Sequence, residues 1–182
     1  MDFILELKDN LKPEFCKNLI ERFENDTRKH AGQTASGFDT KIKNSMDLAF
    51  SRFTEWEDVC GILDDHLKEN LKTYEDFLKE RLPPYCTVMD TWHSGYQLQK
   101  SGHYIWHQDS KIEYGRERVI TFIWYLNTIE EGGETGFAYR KVKPEAGKFV
   151  FFPSTWDYVH CGFDAKDKYI VTGWMWREVN LM

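Results

Sequence analysis

The chain changes character at Pro83-Pro84, and this change restricts its possible folds more than any other feature. Before the prolines, apolar residues recur at helical spacing. Phe15, Leu19, Ile20 and Phe23 form one stripe. It opens with Lys12-Pro13-Glu14, which places proline and an acid in a first helical turn. Trp56, Val59, Cys60, Leu63, Leu67 and Leu71 form a second stripe, extended by Tyr74, Phe77, Leu78 and Leu82 until the prolines stop it. Glu57, Asp58, Asp64, Asp65, Lys68, Glu69 and Lys72 take the opposite face, as a solvated helix surface does. Two helices are therefore predicted, with a polar loop or flap over residues 26–44 between them and a short strand at residues 3–7. After the prolines, β-branched and aromatic runs predict strands over residues 86–92, 96–100, 103–109, 118–127, 134–139, 148–152 and 168–177, with a further element starting at Tyr158. Turns are expected at Ser101-Gly102, at residues 130–133 and at residues 143–147, and a polar loop at residues 110–117. Helices followed by seven or eight short strands predict an α+β fold, mainly β in its core: a sandwich or barrel with the helices packed on one sheet.

With 182 residues, 41% of them hydrophobic and 16% aromatic, the chain can fill one core and is short for two. One domain is expected over residues 1–182, with 1–84 a mostly helical support and 85–182 the β core. A formal charge of −6 argues against a general nucleic-acid binder, whose footprint is basic. No 18-residue apolar run is present, and Met1-Asp2-Phe3 begins with an acid rather than a basic leader. Cys16, Cys60, Cys86 and Cys161 are scattered, without zinc-type pairing, and read as reduced thiols. The expected location is cytoplasmic, with no membrane partner.

The chemistry concentrates in His107-Gln108-Asp109 and His160. Two histidines and one carboxylate that leave part of a coordination sphere open are diagnostic of non-haem Fe(II) oxygenases. His107 and Asp109 are two apart, so on a strand both point into one pocket. His160, 51 residues beyond Asp109, comes from another strand. His103 shares parity with His107 and competes as a ligand; His93 is near in sequence. On the last strand, alternation groups Lys168, Ile170, Thr172 and Trp174 on one face. A lysine opening a strand can simply protect an edge. If this face points inward, Lys168 places an ammonium in an apolar barrel, where it needs a partner charge.

The half from about Tyr96 to Trp176 resembles the 2-oxoglutarate- and Fe(II)-dependent dioxygenases of the prolyl 4-hydroxylase-like branch. The residues carrying the resemblance are His107-Gln108-Asp109, Tyr125-Leu126-Asn127, Glu131-Gly132-Gly133-Glu134-Thr135-Gly136-Phe137, Pro153, His160, and Lys168-Tyr169 followed by Gly173-Trp174. It implies a double-stranded β-helix (a jelly roll, cupin-like) and a hydroxylation that yields succinate and CO2. It also implies Fe(II) on His107, Asp109 and His160, 2-oxoglutarate and dioxygen as co-reactants, and ascorbate as an accessory reductant. Lys168 is then the anchor of the distal carboxylate, with Lys166 as the fallback, and Tyr125 hydrogen-bonds the same group. Gln99, Tyr104 and Thr172 are the remaining cosubstrate candidates. Gln99 has the parity of His107; Tyr104 does not, and in a regular strand it faces away. The substrate classes left open are a small molecule and a peptide or protein; Arg116, Arg118, Arg140, Lys141 and Lys143 are the candidate entrance for an acidic one. Residues 26–44 and 110–117 are the candidate lids. The alternative is a metal-binding cupin-type module, or an isomerase, without oxygenase turnover.

Overall fold

The computed structural model describes residues 2–34, 36–83 and 87–179. Strand β1 (Leu5–Leu7) precedes helix α1 (Pro13–Asn25), which begins with proline at its first position and Glu14 in its first turn. Helix α2 (Glu57–Lys79) ends just before Pro83, which has no N–H to continue it. Cys16, Leu19 and Phe23 of α1 are buried, as are Val59, Leu63, Leu67, Leu71, Tyr74 and Leu78 of α2. Both predicted stripes thus face the core.

The strands after α2 are β4 (Trp92–His93), β5 (Gln97–His107), β6 (Ile112–Glu113), β7 (Arg116–Tyr125), β8 (Thr135–Phe137), β9 (Lys141–Val142), β10 (Phe149–Pro153), β11 (His160–Gly162) and β12 (Lys168–Glu178). They pair antiparallel in the order β1-β10-β7-β12-β5-β11-β8-β9. The long β5 is where the sheet folds over: its first half pairs with β12, its end with β11. Between α1 and α2 lie β2 (His30–Ala31) and β3 (Lys43–Leu48); β3 pairs along the other edge of β5.

Period-two alternation sorts the side chains into two cores. Ile120, Phe122 and Trp124 of β7, Phe149 and Phe151 of β10, and Val171 and Met175 of β12 pack under the helices. Ile123 and Tyr125, Val150 and Phe152, and Ile170 point the opposite way, into a smaller cluster with Phe137 and Tyr158. Gly173 stands on the helix side of β12, where a Cβ would lie 2.4 Å from the Phe122 ring and 2.8 Å from the Gly95 carbonyl. One polar link crosses the larger core. Asn10 and Asn70 exchange amide hydrogen bonds of 2.7 and 3.0 Å, and the Trp124 indole donates to Asn10 at 2.7 Å.

The structure departs from the sequence reading in five places. Within the stretch expected as a strand at 86–92, Cys86 lies outside the described residues, as does Pro84 of the helix stop, and residues 87–91 are turn and coil, leaving only the two-residue β4. Ser101-Gly102 is not a turn; β5 runs straight through it. Residues 110–117 are not simply a loop, because β6 and β7 form a hairpin across Tyr114-Gly115, both at positive φ. β3 emerges from the supposed flap, and β9 from the stretch beyond Tyr139. The N-terminal part therefore supplies strands β1, β2 and β3 to the sheet as well as helices. No helix among the described residues is long and apolar enough to cross a membrane.

Candidate metal centre and cosubstrate cleft

His107 ends β5, Asp109 follows it, and His160 opens β11 directly opposite His107. The Nε2 of His107 lies 3.6 Å from Asp109 Oδ1, and the Nε2 of His160 lies 3.5 Å from Asp109 Oδ2. Each ring is turned by the same device. The Nδ1–H of His107 donates to the Ile105 carbonyl at 2.8 Å, and that of His160 to the Tyr158 carbonyl at 3.0 Å. With Nδ1 protonated, both Nε2 lone pairs and the carboxylate converge on one point. Three acceptors with no donor between them suit a cation. Ligand atoms bound at about 2.1 Å and at right angles sit about 3 Å apart, so a small inward movement closes this set on an ion. Among the described residues this is the one cluster of three such groups, with ligand atoms within 4.8 Å of one another. Thr121 donates to Asp109 Oδ2 at 2.8 Å and fixes the carboxylate's orientation. Burial works against the Asp109 anion, but His160, His107 and Thr121 together hold its pKa below the usual value. Burial, reinforced by the neighbouring His160, lowers His107 to about 4, so its imidazole is neutral at ordinary pH.

A cleft of about 450 Å³ opens from this centre. Lys168, Ile170, Thr172 and Trp174 of β12 all line it, so the face holding Lys168 points inward. Lys168 is 3% exposed and donates to the Gly133 carbonyl at 2.9 Å. No carboxylate among the described residues pairs with it, and burial lowers its pKa to about 8. Lys166 is exposed and lies outside the cleft. Gln99 lines the cleft and donates to Gln97, which donates to Asp47. Thr172 also lines it, with its hydroxyl already donated to the Phe122 carbonyl at 2.8 Å. Tyr125 is buried behind the wall, its hydroxyl 2.6 Å from the Thr135 hydroxyl, and Thr135 reaches the cleft.

Tyr104 lies in the cleft, against the expectation from parity. Gly102 has no partner on β3, where the register jumps from Asn44–His103 to Ser45–Ser101. A second extra residue separates Tyr104 from His107 opposite β11. Each bulge reverses the parity once. Gln97, Gln99, Ser101, Tyr104 and His107 thus share one face, and the Tyr104 ring stacks on His107 at 3.5 Å between centroids. His103 is carried out of the site to Asp164 and the Lys41 carbonyl.

One group at the cleft escaped the sequence reading, the ion pair that brings Lys43 into its lining. Lys43 and Asp47 of β3 form a buried pair of 2.7 Å, with Ser45 and Gln97 also donating to Asp47. Alternating polar residues give no hydrophobic signal, so nothing in the sequence marked β3 as a strand. Arg118 stacks on Trp174 at 3.9 Å and Trp176 at 4.9 Å, and its Nε–H has no hydrogen-bond partner. The indole N–H of Trp174 is directed at Asp109 yet makes no hydrogen bond of normal geometry. Both expected lid segments border the cleft, through Gln33 and Thr34 and through Ser110 and Lys111.

Residues 92–176 match the 2OG-Fe(II) oxygenase superfamily. That stretch, a little under half of the chain, is similar to a 2OG-Fe(II) oxygenase domain. Fe(II), 2-oxoglutarate and dioxygen are the co-reactants that this match implies for the chain. Its fold is similar to that of a viral collagen prolyl hydroxylase from Paramecium Bursaria Chlorella virus-1, crystallised with 2-oxoglutarate. That comparison gives a TM-score of 0.68 at 18% identity, over 97% of this chain and 96% of the other. A Trichoplax adhaerens prolyl hydroxylase in complex with a hypoxia-inducible-factor peptide gives 0.69 at 17%, over 96% and 84%. A Pseudomonas putida prolyl 4-hydroxylase gives 0.61 at 15%, over 96% and 92%. No curated protein matches the oxygenase by sequence.

Proposed function

We propose that this oxygenase hydroxylates a residue within a peptide or protein, a prolyl ring being the first to test, and that His107, Asp109 and His160 hold its iron. One observation carries the assignment of the site: a triad of converging acceptors shares a cleft with Lys168, a buried ammonium that, unlike Lys43 beside it, has no carboxylate partner among the described residues. A buried charge needs a counter-charge, and the distal carboxylate of 2-oxoglutarate provides one. Thr135, held by Tyr125, offers a hydroxyl at the same end. Tyr125 then acts through Thr135, while Gln99, Tyr104 and Thr172 form the wall beside the cosubstrate.

Iron and 2-oxoglutarate, once bound, supply the oxidising chemistry, in which the cosubstrate is decarboxylated to succinate and CO2 and one dioxygen atom enters a C–H bond. The chain orients and shields. Thr121 keeps Asp109 turned to the metal, and Ile123 and Ile170 give the cleft apolar walls. Arg118 lines the cleft with its guanidinium stiffened by two indoles, and this donor takes a backbone carbonyl of the substrate. Support for a peptide comes from this donor and from the similarly folded prolyl hydroxylases, one of them bound to a peptide. Residues 1–84 act as support for the 85–182 core. The free Cys16, Cys60 and Cys161 accord with a cytoplasmic setting. The test is succinate release with proline-containing peptides, the same peptides with alanine for proline, and free proline. Stimulation by the first set alone is expected, and stimulation by free proline alone overturns the peptide reading.

A further inference from the structure

The two histidines of the triad are turned by matching hydrogen bonds, but the carbonyls that turn them are not held alike. Ile105, which orients His107, is an exposed residue of the same strand. Tyr158, which orients His160, is 5% exposed and packs with Ile4, Phe137 and Phe152. Its hydroxyl accepts the backbone N–H of Phe3 at 3.0 Å. The Phe3 carbonyl in turn accepts the hydroxyl of Tyr74, on helix α2, at 2.8 Å. Tyr74 is fully enclosed, with its ring 5.1 Å from that of Phe151. A continuous line of directed contacts thus runs from α2 through the N-terminal segment and Tyr158 to His160 Nδ1. Each step joins residues 71 to 155 positions apart, except the last, which spans two.

We propose that Tyr158, clamped by Phe3 and Tyr74, is a positioning residue that sets the ring orientation and tautomer of His160. The inference rests on His160 being a ligand, as proposed above. Tyr158 cannot bind the metal itself, because its hydroxyl is turned toward Phe3 and only its carbonyl faces the histidine. The clamp holds that carbonyl where the Nδ1–H must meet it, and the Nε2 lone pair is thereby aimed at the point shared with Asp109. Removing the Tyr158 hydroxyl leaves the residue's ring in its apolar cluster but frees the Phe3 N–H and releases the carbonyl's position. Groups that orient a metal-bound histidine directly are worth about 10- to 100-fold in metal affinity. The Tyr158 hydroxyl acts one bond further out, so a loss of about three- to tenfold is expected.

The test uses the full chain stripped of metal. Tyr158→Phe and, separately, Tyr74→Phe are titrated with Co(II), and the tautomers of the triad histidines are read from nitrogen–proton NMR spectra of the metal-free protein. The expected result is weaker Co(II) binding in Tyr158→Phe and a smaller loss in Tyr74→Phe. The His160 resonances should become a mixture of tautomers, while those of His107 and the affinity for 2-oxoglutarate in the metal-loaded protein stay as in wild type. Tyr114→Phe, whose side chain is 91% exposed, serves as the control and should change nothing. Wild-type Co(II) affinity together with a single His160 tautomer in Tyr158→Phe overturns the proposal. If Tyr158→Phe does not fold, Tyr74→Phe alone decides, and an unchanged His160 tautomer there counts against the clamp. His160→Ala separates the two claims: Co(II) binding undiminished in that variant means that the ligand assignment has failed, whatever Tyr158 does.

Discussion

At the scale of single residues, the roles proposed for Asp109 and Lys168 predict separable effects. Asp109→Ala deletes one of three converging acceptors and leaves the sheet intact; the expected outcome is loss of stoichiometric iron with an unchanged circular dichroism spectrum, checked by metal analysis. Lys168→Ala should do the reverse. Removing one member of a buried charge pair costs about 2–5 kcal/mol, or roughly 30- to several-thousand-fold in 2-oxoglutarate affinity, with metal binding retained. The lysine also sets a pH dependence. Its pKa, near 8 in the free protein, is lowered by burial, and only the ammonium form pairs with a carboxylate. Affinity for 2-oxoglutarate should therefore be full below pH 8 and fall as pH rises through it, measured by calorimetry; Lys168→Arg, which stays charged, should flatten the curve. Lys168 and the triad were legible because their residue types are rare in the interior of a β core and their spacing was informative. Thr135 stood in the sequence as part of a motif, but its contact with Tyr125 is a tertiary fact. Lys43 and Asp47 were invisible because a buried ion pair written in polar residues has the same appearance as a solvated loop.

At the scale of elements, helices were read well and β5 was not. The stripes of α1 and α2 carry a 3.6-residue period that no loop imitates. In β5 the period of two holds from Gln97 to Ser101 and is then broken twice, at Gly102 and between Tyr104 and His107. A bulge leaves no apolar signature, so parity counted backward from His107 placed Gln99 correctly only because two reversals cancel, and misplaced Tyr104, which lies between them. The neighbouring β12 has no such break across its lining residues, and its inward face followed the sequence. Its one glycine on the opposite face is a test of packing: Gly173→Ala puts a methyl 2.4 Å from the Phe122 ring. Overpacking of this kind costs about 1–3 kcal/mol, so the melting temperature should fall by several degrees without altering the ratio of iron to protein.

For the molecule as a whole, the N-terminal part is built into the same sheet as the candidate site. β1 extends the sheet at β10, β3 extends it at β5, and the two helices cover its outer face. Residues 1–84 alone would leave both helix stripes uncovered, β1 without β10 and β3 without β5; such a fragment should show no cooperative unfolding transition by calorimetry. A sharp transition in the isolated fragment would mean that it folds independently of the β core.

The Asn10–Asn70–Trp124 link gives this arrangement a register. Apolar contact is indifferent to small displacements: a helix lying on a greasy sheet can slide by one turn and bury almost the same area. Paired amides cannot, because a shift of one turn carries Asn70 about 5.4 Å from its only partner and strands two buried polar groups. The link therefore works as an index pin between helix and sheet. The same α2 carries Tyr74, one turn beyond Asn70, so the axial setting fixed by an asparagine in the core is handed on toward the candidate metal centre.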